Sequence, residues 1–284
     1  MTNAFTVDFE DWYHGIELPY SDWPKYERRI EKGFYPVFEA LQNNNVKGTF
    51  FTLGWVAKEY PQLIKLLAEA GHEIGSHGYT HEKVYNLSPE AFRKEIRDSK
   101  KIIEDLSGKE VSTFRAPFFS ITSKSLWAFE ILAEEGYKID CSISPIKTWR
   151  YGIASCPDEI FRIKGSNLIE FPVSTFNYLR KRWAIGGAYF RLFPYGFTHN
   201  GMKKRIKDQK YNMFYIHPWE YDPEHPKVKI ERKAQFTHYT RLSKTLPGTK
   251  KLLKNYTFGT VSEVVNHYEK NHGINSIGLD VLQS

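Results

Sequence analysis

The sequence predicts one α/β domain in which short strands and helices alternate to build a parallel barrel. Three observations predict it. A β-rich run followed by a helical run recurs four times in the first half, each of these strands ends on a polar residue, and 284 residues suit one barrel with insertions. Phe5-Thr6-Val7-Asp8 reads as a strand ending in acids, with helical sequence following to about Asn43. Gly48–Leu53 is the second strand, closed by Gly54. A helix then starts at Pro61, carries Leu63, Leu66 and Leu67 on one face and stops at Gly71. His72–Ser76 is a strand that delivers His77. Ser88 caps the clearest helix, Pro89 suits its first position, and the stripe Phe92, Ile96, Ile103 and Leu106 ends near Gly108. Ser112–Phe114 brings Arg115 to a strand end, and a helix from about Ser123 to Gly136 precedes Tyr137–Ile139, which leads to Asp140.

The second half is less regular. Phe161–Ile163 and Leu168–Val173 read as short strands, and the aromatic and basic stretch Phe176–Trp183 is broken by Gly186-Gly187. We expect residues of about 174–210 to form an insertion within the barrel. Asn212–Ile216 is a strand that delivers His217, and helical pattern returns around Val261–Tyr268 in a C-terminal extension of about 240–284.

Composition narrows the function. No stretch nears the eighteen apolar residues of a spanning helix, and the start runs straight into strand-like sequence, so neither a membrane span nor a signal peptide is expected. Two cysteines, outside any C-x-x-C pair, make no disulfide scaffold and fit a reducing cytoplasm. The formal charge of +7 is concentrated late, near Lys203–Lys210 and Lys244–Lys254, where solvated helix faces explain it. No nucleic-acid motif is present, and a 16% aromatic content is what a sugar-binding groove uses for stacking.

Four segments carry chemistry. Asp8-Phe9-Glu10-Asp11 supplies carboxylates, and His77 and His81 supply imidazoles four positions apart. Two histidines and one carboxylate leave a divalent ion with open positions, as hydrolytic zinc requires. In a strand, positions 8 and 10 share a face while 11 turns away, so one acid can bind metal as another takes a proton; the residues alone leave the split open. Arg115 can hold the base carboxylate, and His217 can protonate a departing amine, with Asp140 to orient or acidify it.

In order and spacing these segments resemble the polysaccharide deacetylase family, also called carbohydrate esterase family 4 or the NodB-homology fold. The pieces are Thr6–Asp11, Ser76–His81, Phe114-Arg115-Ala116-Pro117 and Tyr215-Ile216-His217. The resemblance implies a distorted, TIM-like barrel of about seven βα units and a divalent metal, usually zinc. It implies His77, His81 and a first-motif acid as metal ligands, a second acid as base, Arg115 steadying that base and His217 as acid. The backbone N–H of Phe118, next to Pro117, would help hold the oxyanion. The family commonly has two adjacent Asp followed by Gly, whereas here Phe9 and Glu10 separate Asp8 from Asp11 and Trp12 replaces Gly. We therefore expect Asp8 as base and Asp11 as ligand, with Glu10 as the alternative for either role.

Asp8–His14, Gly186–Arg191 and His217–Glu220 resemble a branch associated with bacterial exopolysaccharide or capsule biosynthesis. That implies an N-acetylated glycan, free or as a lipid-linked precursor met at the cytoplasmic face of the membrane, where the aromatic and basic insertion can touch lipid or glycan. The expected reaction is metal-dependent hydrolysis of a sugar acetamide. Two rival expectations are hydrolysis of a small cyclic amide or imide, and a glycan-binding protein that has lost turnover.

Overall fold

The first strand, β1 (Asn3–Phe9), is buried along its whole length, as a strand with parallel neighbours on both sides and helices over it must be. The structure, a computed structural model, describes residues 2–146, 148 and 150–283. β2 (Thr49–Thr52), β3 (Glu73–Ser76), β4 (Thr113–Phe114) and β5 (Ile139–Asp140) follow β1 in sequence and in space. Beyond them β6 (Phe161–Ile163) pairs antiparallel with β7 (Ile169–Glu170), and β7 lies parallel to β5. β8 (Thr175–Tyr178) and β9 (Lys181–Ala184) form a separate hairpin, and β10 (Met213–Ile216) returns to β1 in parallel. Two short strands, β11 (Phe258–Gly259) on β1 and β12 (Ser276–Ile277) on β6, complete the main sheet.

The run β10-β1-β2-β3-β4-β5-β7 is parallel throughout, and it closes into a distorted, TIM-like barrel without an eighth strand. Closure is local. The Ile185 amide donates to Ser174 O at 2.9 Å, the Met213 amide donates to Ser174 Oγ at 2.7 Å, and Gly186 bridges in parallel to Tyr215. Gly186 sits at φ +120°, and a Cβ there would stand 2.3 Å from the Tyr215 carbonyl oxygen, so only glycine lets the two backbones approach.

Helices behave as their caps require. Ser88 Oγ accepts the Ala91 amide at the start of Pro89–Ser107, and Gly108 ends it at φ +65°. The helix expected from Ser123 begins later, at Ala128. The stretch Phe176–Trp183, to which no element was assigned, is the β8–β9 hairpin; it turns at Leu179 and Arg180, both at positive φ, so the turn residues that usually mark a hairpin are missing. Helices Gly187–Leu192 and Tyr195–Lys207 follow it. No helix among the described residues is long and apolar enough to cross a membrane.

Gly186→Ala is expected to lower unfolding free energy by about 2–4 kcal/mol, because strain at positive φ adds to a backbone clash. Urea denaturation checks this, and a midpoint unchanged from wild type would remove Gly186 from the closure.

Candidate active site

At the C-terminal end of β1 the pleat sends Asp8 and Glu10 to one face, and both line a cavity of about 350 Å³. Asp11 turns the other way. Its Oδ2 accepts the Arg29 and Ile30 amides at 2.7 and 3.0 Å, at the start of helix Ile30–Gln42, and its Oδ1 accepts the Trp12 amide. The expectation of Asp11 on the metal is therefore corrected: both its oxygens are held by backbone amides, and it is not in the group of ligand atoms that converges with His77 and His81. Glu10 stands there instead.

His77 and His81 enter from the loop after β3. Glu95, on the long helix Pro89–Ser107, fixes that loop by accepting the Tyr79 amide, the Thr80 amide and the Thr80 hydroxyl at 2.8–2.9 Å. His81 itself has φ +57°, an uncommon backbone state of the kind that clusters at functional sites. His77 Nδ1 donates to the Arg115 carbonyl at 2.7 Å, which leaves Nε2 as the ligand atom. Burial pushes His77 down to about 4, so the imidazole is neutral and able to bind metal.

Ligand atoms of Glu10, His77 and His81 all lie within 4.8 Å of one another. Glu10 Oε2 is 2.7 Å from His81 Nε2 but lacks the alignment of a hydrogen bond, and it is buried with no other partner. Its second oxygen accepts the Trp219 indole N–H at 3.1 Å. Burial resists ionisation of Glu10, but His81, His217 and His77 together outweigh it and hold the carboxyl below its ordinary range. A buried, ionised, orphaned oxygen beside two imidazoles fits a divalent cation, and the donor set of two histidines and one carboxylate fits hydrolytic zinc.

Asp8 stands beside this cluster. Its Oδ1 takes a 2.5 Å hydrogen bond from Arg115 Nη1, and its Oδ2 lies 3.7 Å from His217 Nε2. Arg115 is wholly buried, its guanidinium 4.1 Å over the Phe51 ring. His217 reaches the site from the end of β10. Glu220, three residues on, accepts both the His217 amide at 3.1 Å and His217 Nδ1 at 2.7 Å. Burial opposes the imidazolium, but Glu220 and the other carboxylates prevail and raise His217 to about 9.

Asp140 does not reach His217. It is wholly buried, accepts the Ser142 hydroxyl at 2.5 Å and lies beside Glu170, and burial raises both carboxyls. Asp140 as the partner of His217 is thus corrected to Glu220. Behind Glu220 lies Arg191, also wholly buried, whose Nε donates to Glu220 Oε2. Its other nitrogens donate to the carbonyls of Thr237 and Thr240, at the end of helix Arg232–Tyr239. That helix roofs the cavity with Ala234, Thr237 and His238, and Trp219 stacks between His217 and His238 at 5.1 and 4.0 Å. Phe118 lines the opposite wall at φ +54°, its ring 4.5 Å from His81; Pro117, just before it, is buried.

Residues 16–138 match the family model described as "Polysaccharide deacetylase", and residues 141–266 match a "Domain of unknown function (DUF3473)". That stretch of the chain, residues 16–138, is thus similar to the polysaccharide deacetylase family. His77, His81 and Arg115 lie in the deacetylase match, Arg191, His217 and Glu220 in the second, and Asp8 and Glu10 precede both. The chain is 32% identical over 117 residues to a peptidoglycan-N-acetylglucosamine deacetylase of Bacillus cereus, 40% of each chain. It is 26% identical over 116 residues to a peptidoglycan-N-acetylmuramic acid deacetylase of Bacillus subtilis, 40% of this chain and 44% of that one. The deacetylase match thus spans less than half of these relatives. Its barrel is similar to that of a Mycobacterium smegmatis protein provisionally described as a polysaccharide deacetylase, with a TM-score of 0.63 at 18% identity over 97% of this chain and 93% of that one. It is also similar to the PuuE allantoinase barrel, with a TM-score of 0.61 at 14% identity, covering 96% and 91%.

Two substitutions at the end of β1 separate the neighbouring acids. Glu10→Gln is expected to weaken zinc binding by more than the roughly 10–100-fold typical of an outer partner, with folding retained. Asp11→Asn is expected to keep zinc affinity within a few-fold while losing about 1–2 kcal/mol of stability. Calorimetric zinc titration and urea melts read both, and the reverse pattern would return Asp11 to the metal.

Proposed function

We propose that this chain is a metal-dependent N-deacetylase that hydrolyses the acetamide of an N-acetylated sugar and releases acetate. One observation carries the reading: Glu10, His77 and His81 converge on one cavity wall beside Asp8 and His217. The names of the curated relatives support N-acetylhexosamine as the sugar class. Within this reading the substrate is a glycan or its lipid-linked precursor, met at the cytoplasmic face of the membrane.

A divalent ion held by Glu10, His77 and His81, zinc first among candidates, supplies Lewis acidity toward the acetamide carbonyl and makes water more acidic. The chain's own residues do the rest. Arg115 occupies one oxygen of Asp8 and leaves the other toward the cavity, where it takes the proton of the attacking water. His217, protonated at Nε2, gives its proton to the sugar nitrogen as the C–N bond breaks, and Glu220 keeps the imidazolium in place. The Phe118 amide is our candidate donor to the developing oxyanion. The roof over the cavity favours a second reading, hydrolysis of a small cyclic amide, which the same groups would perform.

The zinc-loaded chain is expected to release acetate from N-acetylglucosamine oligosaccharides, with His77→Ala reduced by at least about a hundredfold. Equal release by the mutant sinks the mechanism, and ring opening of a cyclic amide without acetate release selects the second reading. The general acid must be protonated in the free enzyme, so kcat/KM falls as pH rises through the pKa of His217. That limb is set at most at about 9, since a bound cation pushes the imidazole down. In Glu220→Gln the favourable partner is gone, and the limb is expected to move to lower pH; a limb unmoved in that variant removes Glu220 from the acid.

A further inference from the structure

Charge along this chain is unevenly placed. Residues 171–207 and 232–262 contain no Asp or Glu but hold fifteen of the forty Lys and Arg, so the remainder of the chain has more acids than bases. The fold puts the two stretches together. Arg191 donates to the carbonyls of Thr237 and Thr240, Arg241 to that of Leu192, and Asn255 to the Tyr195 hydroxyl. Among the described residues, Arg180, Lys181, Lys203, Lys204 and Lys233 form no ion pair with a carboxylate. Solvated helix faces do not account for this arrangement, because acids are excluded from both stretches.

Both stretches also expose large apolar side chains at the catalytic end of the barrel. β8 leads out from the C-terminal end of β7, and its hairpin exposes Leu179 by 78% and Tyr178 by 52% beside Arg180 and Lys181. The tip stands on a fixed base: Phe197 packs against Tyr178 and Trp183 at 5.6 and 5.7 Å, and the Trp183 indole donates to the Tyr178 carbonyl. On the roof helix, Phe236 is 60% exposed near Arg232 and Lys233, while Ala234 and Thr237 of that helix line the cavity. Apolar tips next to unpaired cations are the composition of a surface that enters the headgroup region of an anionic bilayer. A polyanionic glycan would use the cations and leave Leu179 and Phe236 without a purpose.

We infer that the β8–β9 hairpin and the roof helix Arg232–Tyr239 form a peripheral docking surface for an anionic lipid bilayer. The inference goes beyond the proposed reaction and does not require it, since binding is read without turnover.

The whole chain is sedimented with vesicles of phosphatidylcholine alone and with vesicles carrying roughly 30 mol% phosphatidylglycerol. The anionic vesicles are expected to retain the protein, and retention is expected to fall as salt rises from about 0.1 M to about 0.5 M. Each surface cation contributes about fivefold to partitioning, so Arg180→Glu with Lys181→Glu should weaken binding by at least about twenty-fivefold. Leu179→Ser should weaken it by about fivefold at unchanged charge. All three positions are exposed and lie outside the cavity, so thermal melting and any acetate release from a soluble oligosaccharide should match wild type. Wild-type protein that ignores anionic vesicles, or variants that bind them equally well, would overturn the inference. So would equally tight capture by dextran sulfate that Leu179→Ser leaves unchanged, which would assign the face to an anionic polymer.

Discussion

The buried guanidinium of Arg115 is the constraint on which this site depends. A cation with no exposed surface persists only if its charge is answered, and Asp8 answers it at 2.5 Å. Removing either partner would cost on the order of 3–5 kcal/mol, so the pair fixes the end of β1 against the end of β4. The same residue turns its carbonyl to His77 Nδ1 and thereby chooses which ring nitrogen faces the cavity. The Asp8 carboxylate and the His77 ring are held by one amino acid, through its side chain and its backbone.

Around that pivot the site sorts its charges by partner. Burial alone would neutralise every titratable group here. His77 has no carboxylate in hydrogen-bond contact and is shifted toward the neutral form, as the proposed ligand role needs. His217 has Glu220 on Nδ1 and is shifted toward the protonated form, as the proposed acid role needs. Two histidines on the same cavity are thus shifted in opposite directions by what stands behind them. The buried pair Asp140 and Glu170 follows the same rule: with no cation in hydrogen-bond contact, burial raises both carboxyls.

The parallel strands and the residues at their ends were legible because a two-residue pleat and a polar strand end leave clear patterns. Asp8, Glu10, His77, His81 and His217 do meet on one cavity, with Arg115 bonded to Asp8. The ligand choice among the first acids failed for a physical reason. The pleat already pairs Asp8 with Glu10, and the adjacent-acid pattern of the resembling family overrode it in favour of Asp11, which had gone to cap a helix. Glu220 was visible in His217-Pro218-Trp219-Glu220, since a 3-10 turn brings the fourth residue back to the first, but a strand-end acid competed for the role. Arg191 and the roof helix were not legible: their link joins residues 46 to 49 positions apart through backbone carbonyls, which no side-chain pattern records.

That link has a mechanical consequence. One guanidinium bonds the carboxylate behind the imidazole and the carbonyls that end the covering helix, so free energy spent ordering either end is shared by the other. Cover and proton donor form a single cooperative unit. A ligand that tightens the cover also stiffens the imidazole, and a loosened turn near Thr240 slackens a proton-transfer group that it never touches.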